Sequence, residues 1–266
     1  MNARDIFKME MYKNSTDKPY LIVGGVLSGL GIILTACWLL MINVMNTSQA
    51  EGSTSGSGGG IIIFLGLLVM ISFSFLVGTY FLGLLYPFHL LNVDYRSKVL
   101  SLMVASGVSR VKYYFVKIAA TVLSTLIMMT VILVIPIVTL LIFNMTSIIG
   151  AVKMFTGLSI APNIIIVLIG GILSSISAVV VMASAVIMLR GKVSSFFVYI
   201  GFSFGINMVS QFIQLPVALM MSANGDSSAS SVMFTGFNGI FSIIIPVLSI
   251  VGFGLMGMLI IRRQDL

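Results

Sequence analysis

Six long runs of apolar residues, separated by short polar connections, set the pattern of this chain. The runs are Tyr20–Met45, Ile61–Pro87, Ile118–Phe143, Asn163–Leu189, Val193–Met221 and Ile240–Ile261, and none contains Asp, Glu, Lys or Arg. A helix needs about 20 mostly apolar residues to cross roughly 30 Å of hydrocarbon. Each run reaches that length, so the pattern predicts an all-α polytopic membrane protein with six transmembrane helices. Residues 1–19 precede the first span as a mixed, charged arm. It carries Arg4, Lys8, Lys13 and Lys18 against Asp5, Glu10 and Asp17. Its apolar residues share no single helical stripe, and a short interfacial helix is expected there. The arm does not read as a cleavable signal peptide, because it is charged throughout and the following run has full spanning length.

The connections carry their own signals. Glu51–Gly60 is a Gly/Ser tract with the composition of a flexible linker. Pro87 reads as the end of the second span, and Pro136 lies in the outer half of the third, where it removes a helix hydrogen bond. The fifth run is unusually long. Gln211, Gln214 and Pro216 interrupt its outer end, so residues 210–239 are a candidate re-entrant helical hairpin turning at Asn224-Gly225.

Composition closes off a soluble fold. The 266 residues are 59% hydrophobic and 8% charged, too few polar groups to clothe a water-soluble globule, and one membrane domain spanning 1–266 is expected. The net charge of +7 does not point to nucleic acid, because its distribution is one-sided. Lys153 alone among the basic residues falls in an odd-numbered loop. The others lie in the arm, the second connection (His89–Lys117), the fourth (Arg190–Lys192) and the tail. This positive-inside pattern predicts cytoplasmic termini in a plasma-membrane protein. Cys37 is the one cysteine and His89 the one histidine, so neither a disulfide nor a cysteine metal cluster is expected within the chain.

Enzyme chemistry finds little foothold. A phosphate-binding loop requires G-x-x-x-x-G-K-[ST]; around Gly191-Lys192, Val186 and Val193 stand where Gly and Ser/Thr belong. No carboxylate lies in a predicted span, which disfavours a proton-coupled relay. The protein is therefore not expected to be an enzyme or to hold a metal or cofactor.

The second connection is the most informative. It reads Asp94-Tyr-Arg-Ser-Lys-Val-Leu-Ser-Leu-Met-Val-Ala-Ser-Gly-Val-Ser-Arg-Val-Lys-Tyr-Tyr-Phe-Val-Lys117. Tyr95, Val99, Leu102 and Met103 recur at helical spacing, with Ser97, Lys98 and Ser101 opposite. Gly107 stands where a helix stop is expected and Ser109 where the next helix needs a cap. The pattern predicts an amphipathic helix across the cytoplasmic face, then a sharp corner.

The run Ser101-Leu-Met-Val-Ala-Ser-Gly-Val-Ser-Arg110, followed by Tyr113-Tyr-Phe-Val-Lys117, resembles the coupling-helix segment of type-2 ABC transporter permeases. Asp94, Ser106-Gly107, Ser109-Arg110 and Lys117 take the family's acidic, corner, Ser-Arg and Lys places, while Lys98-Val99 replaces its usual Gly-Thr step. The arm Lys8-Met-Glu-Met-Tyr-Lys13 and the tail Ile260-Ile-Arg-Arg-Gln-Asp-Leu266 are similar to the family's two ends. Among its members the chain looks most like peptide-export or bacteriocin-resistance permeases of Gram-positive bacteria.

The resemblance implies a permease subunit, paired with a second permease copy and driven by separate cytoplasmic ATPases that bind ATP and magnesium. Contact with those ATPases would fall on Asp94, Leu102, Met103, Val104, Ser106, Gly107, Val108, Ser109 and Arg110, with Arg190 and Lys192 as a smaller second contact. The small-residue steps Gly25-x-x-x-Gly29 and Gly201-x-x-x-Gly205 suit close helix contact, and the resemblance implies that they face the partner permease. Asn207, Gln211 and Gln214 are candidate polar points on a translocation route, and the uncharged spans suit hydrophobic or amphipathic peptide or lipid-like cargo. A membrane peptide sensor or immunity protein, and a secondary transporter without ATP, are the other classes the sequence admits.

Overall fold

The computed structural model describes residues 3–50, 66, 69, 73, 80, 82–96, 99, 102–103, 106–143, 161–223 and 227–263. Seven helices occur among them: α1 (Ala3–Thr16), α2 (Lys18–Ala50), α3 (Gly83–Arg96), α4 (Arg110–Phe143), α5 (Ala161–Met188), α6 (Ser195–Ala223) and α7 (Ser227–Arg263). Five are long and apolar enough to cross a membrane, over Lys18–Leu40, Arg110–Thr139, Leu168–Met188, Ser195–Ile213 and Gly239–Arg263. The chain is thus a helical membrane protein. Most of the predicted span Ile61–Pro87, the Glu51–Gly60 tract, the third loop with Lys153, and Asn224-Gly225 lie outside the described residues.

Helices are the form these segments take because lipid offers no partner to backbone N–H and C=O groups. The hydroxyls inside them bond backward to their own helix. Thr121, Ser124 and Thr125 donate to the carbonyls of Lys117, Ala120 and Thr121 at 2.9 Å each, which satisfies each hydroxyl without a neighbouring helix.

One expected end and one expected interruption lie within continuous helices. α3 passes through Pro87 and continues to Arg96. α6 passes through Gln211, Gln214 and Pro216 without a break and reaches Ala223. A proline removes one helix hydrogen bond, whereas stopping leaves four carbonyls without intrahelical partners; in an apolar surround the first is the smaller loss. The predicted second connection shrinks accordingly. Asp94 belongs to α3, and α4 starts at Arg110, eight residues before the predicted Ile118, so Lys117 is helical.

The chain divides into two compact units. Unit 1 is Met1–Asn14, Gly78–Thr125 and Asn163–Leu266, and unit 2 is Ser15–Val77 and Leu126–Pro162. In unit 1, α5 is the central helix: 67% of its spanning window is buried, against 6% for α6. Val181, Met182, Ala183, Ala185 and Val186 pack with Leu91 of α3 and Tyr199 of α6. A second cluster joins Ile6 of α1, Val108, Tyr113 and Tyr114 around the start of α4, Ile187 near the end of α5 and Ile261 near the end of α7. These ends therefore meet at one place. Arg4, Lys8, Arg110, Lys112, Arg190, Lys192, Arg262 and Arg263 lie within a few residues of it along the chain. In unit 2, Gly24 of α2 lets Met128 of α4 come close, since a Cβ there would meet the Met128 Cε.

Candidate functional site: a capped corner above a buried ion-pair network

The corner before α4 is held by backbone geometry. Ser106 N donates to Leu102 O at 3.0 Å and Val108 N to Met103 O at 3.2 Å. Gly107 between them has φ 86°. A six-to-one bond around a left-handed residue is a Schellman ending, and glycine takes that conformation without a Cβ penalty. The hydrophobic contact that accompanies this ending is present: Val108 is buried in the α1–α4–α5–α7 cluster, with Met103 packed against it. Ser109 then caps α4. Its carbonyl accepts from Tyr113 N at 3.1 Å, and its Oγ from Lys112 N at a long 3.4 Å. Leu102 points away and is 66% exposed, although the helical spacing grouped it with the inward-facing Tyr95 and Met103. Val104 lies outside the described residues.

The Arg190–Lys192 turn closes in the same way. Gly191 N donates to Val186 O at 2.9 Å and Arg190 N to Ile187 O at 3.3 Å. Here a non-glycine residue, Arg190, holds the left-handed position at φ 52°, followed by Gly191 at φ 75°. Ser195 starts α6 with its N 3.0 Å from Lys192 O. A Cβ on Gly191 would sit 3.3 Å from both Asn92 Oδ1 and Tyr95 Cβ, so this turn rests on the end of α3. Burial pushes the Tyr95 hydroxyl up to about 12, against the opposing effect of the Arg190 charge.

Directly inside the corner lies a network of four charges. Lys117 Nζ is 2.5 Å from Glu10 Oε2 and 2.8 Å from Asp94 Oδ2. Lys13 Nζ is 2.7 Å from Asp94 Oδ1. The Tyr113 hydroxyl donates to Asp94 Oδ2 at 2.8 Å and lies 3.4 Å from Glu10 Oε1. The Lys117, Glu10 and Asp94 side chains are 2%, 1% and 1% exposed, while Lys13 reaches the surface at 37%. Below them Asn14 Nδ2 donates to Ser124 Oγ at 3.0 Å. α1 thus presents Ile6, Glu10 and Asn14 inward, one residue per turn, and α4 answers with Tyr113, Lys117 and Ser124.

Two anions and two cations balance. Burial alone would push the Asp94 carboxyl up; the Lys117 and Lys13 ammonium groups outweigh it and hold that carboxyl below the usual carboxylate range. Burial also opposes the Lys13 charge, and Asp94, then Glu10, outweigh it and leave that ammonium more basic than usual.

The structure places the sequence-predicted residues unevenly. Met103, Ser106, Gly107, Val108, Ser109 and Arg110 form the corner, and Arg190 and Lys192 the neighbouring turn. Asp94 is not part of an outward surface, because its carboxylate is buried and engaged by Lys117, Lys13 and Tyr113. Gly25 and Gly29 on α2, and Gly201 and Gly205 on α6, have open space where a Cβ would go. Gly201 and Gly205 line an open apolar groove of about 420 Å³ with Phe202, Ser249 and Phe253. Asn207 and Gln211 are exposed on α6 and do not line that groove, and the Gln214 side chain lies outside the described residues. Sequence reasoning missed Glu10, Lys13, Asn14, Tyr113 and Lys117 as a group. The available signal was slight: Glu10 is one of three acidic residues in a mixed arm, and Lys117 stands immediately before an apolar run.

No family model, curated protein or solved structure matches this chain.

Proposed function

We propose that this chain is the membrane-spanning permease subunit of an ATP-driven transporter of the type-2 ABC class, exporting hydrophobic or amphipathic peptides or lipid-like molecules. In this reading two permease copies, identical or paired with a relative, work with separate cytoplasmic ATPases that supply the ATP and magnesium chemistry. The clustered basic residues orient the corner and both termini toward the cytoplasm, in the plasma membrane of a bacterium.

One observation carries the reading: the corner Met103–Ser109 is stopped, turned and re-capped within seven residues, and its inward side chains are tied to three helices. A push on exposed Leu102 would reach Val108 through the backbone bonds of the corner, and from there Tyr113, α1, α5 and α7 through the buried cluster. Two-state switching needs a stiff element of this kind. The Arg190–Lys192 turn, seated on the end of α3, offers a second point of contact.

The test is reconstitution. The protein and its co-purifying ATPase, in sealed vesicles, should turn over ATP and move a labelled hydrophobic peptide. Leu102→Glu should reduce both at least about tenfold, the equivalent of about 1.4 kcal/mol in coupling, with membrane insertion unchanged. Purification free of any nucleotide-hydrolysing partner, or full coupling in Leu102→Glu, refutes the reading.

A further inference from the structure

α1 packs on the rest of unit 1 through both charge and apolar surface, with Phe7 and Met11 half-buried beside its fully buried residues. Of its three fully inward residues, Ile6, Glu10 and Asn14, only Ile6 is apolar. The Asn14 amide is imperfectly satisfied: Oδ1 is buried without a hydrogen-bond partner among the described residues. A contact with an unmet acceptor is less favourable than a fully paired one.

The four charges divide in two ways. By contact, Glu10 with Lys117 and Lys13 with Asp94 each join α1 to the helices beneath it. By element, α1 carries Glu10 and Lys13, while α3 and α4 carry Asp94 and Lys117. Each of these halves sums to zero. The inner half is already paired, since Lys117 Nζ lies 2.8 Å from Asp94 Oδ2, and Tyr113 donates to the same carboxylate oxygen. The outer half can pair with itself, because Glu10 and Lys13 are three residues apart on one helix. Departure of α1 therefore strands no unpaired charge in the bundle, which is the event that makes breaking a buried ion pair so unfavourable.

We propose that α1 is a detachable latch: it docks through two crossed ion pairs and releases as a unit, leaving a neutral Asp94–Lys117 pair and an intact bundle behind. Docked, it adds Ile6 to the buried cluster that holds Val108 and so braces the corner. Released, it frees that corner. The latch is built from this chain alone, whether or not an ATPase drives the corner.

Hydrogen exchange by mass spectrometry on the full protein in detergent micelles tests it. In Glu10→Gln/Lys13→Gln, α1 amides should exchange at least about tenfold faster than in the wild type, while α3 and residues 110–125 of α4 keep their protection. In Lys117→Met, which strands two carboxylates against one lysine, exchange should quicken in α1, α3 and α4 together. Unchanged α1 protection in the double variant would mean that the ion pairs do not hold it. Loss of α3 and α4 protection in the double variant, or its failure to fold, would mean that the network is one indivisible block; either result overturns the latch.

Discussion

Lys117→Met isolates the electrostatics of the network. Lys117 lies 2.5 Å from Glu10 and 2.8 Å from Asp94. At an effective dielectric of about 20, each contact is worth about 6 kcal/mol of Coulomb attraction. Desolvation of the three buried charges offsets much of that. Removing the lysine removes the attraction but leaves both carboxylates desolvated, with Lys13 as their only cation within the network. A loss of about 3–5 kcal/mol is expected, seen as a fall of roughly 6–20 °C in apparent Tm. Adding Glu10→Gln then removes one of the two stranded carboxylates and restores charge balance between Asp94 and Lys13. The double variant should recover about 2 kcal/mol or more of the loss, so the two substitutions are strongly non-additive. The assay is size-exclusion thermostability in detergent micelles, run on wild type, both single variants and the double. If the double variant is as unstable as the sum of the singles, the charges are not acting as a coupled set and the account of the network fails.

Three further outcomes are expected. Gly107→Ala meets no steric neighbour, yet its φ of 86° should lower stability by about 1 kcal/mol, whereas Arg190→Gly, at φ 52°, should raise it or leave it unchanged in the same thermostability assay. A Cβ on Gly257 would collide with the Tyr114 hydroxyl, so Gly257→Ala should lower apparent Tm, and Tyr114→Phe should recover only part of the loss in the double variant, because the ring Cζ would still lie 2.8 Å from that Cβ. The pH profile should have two flanks. Asp94 has a folded pKa below its unfolded value, so its contribution is present above about pH 4 and is lost as pH falls through the folded value. Lys13 has a folded pKa above its unfolded value, so its contribution is complete below about pH 10 and is lost as pH rises beyond the folded value. Asp94→Asn should therefore flatten the acid limb of a Tm-against-pH curve, and Lys13→Gln the alkaline one.

What could be read from the sequence was whatever local physics dictates. Long charge-free runs become helices because lipid permits little else, and five of the six predicted runs appear as long apolar helices among the described residues. The stop at Gly107 and the cap at Ser109 were legible because a left-handed backbone and an unsatisfied helix start make demands on single residue types. Pro87 and Pro216 misled for a related reason: a proline marks an end in water, where freed carbonyls are solvated, but not where ending the helix leaves several of them bare. The ion-pair network was illegible because its members are far apart in sequence. Glu10 and Lys117 are separated by 107 positions and Lys13 and Asp94 by 81. Periodicity searches for apolar stripes, and the inward stripe of α1 is one isoleucine, one glutamate and one asparagine. Lys117 looked like another orienting cation because an apolar run begins at the next residue.

The separation between Glu10 and Lys117 also bears on how the protein is made. The first helix leaves the ribosome with a glutamate and an asparagine on the side it must later bury. Their counterparts on α4 are synthesised more than a hundred residues afterwards, roughly 5–20 s at ordinary translation rates, and Ile261, which completes the Ile6 cluster, comes near the end of the chain. During that interval the inward side of α1 lacks the partners it later buries against. Its seating therefore follows the assembly of α4 and α7, and a quality-control protease that recognises an unseated α1 would remove chains whose later helices had failed to assemble.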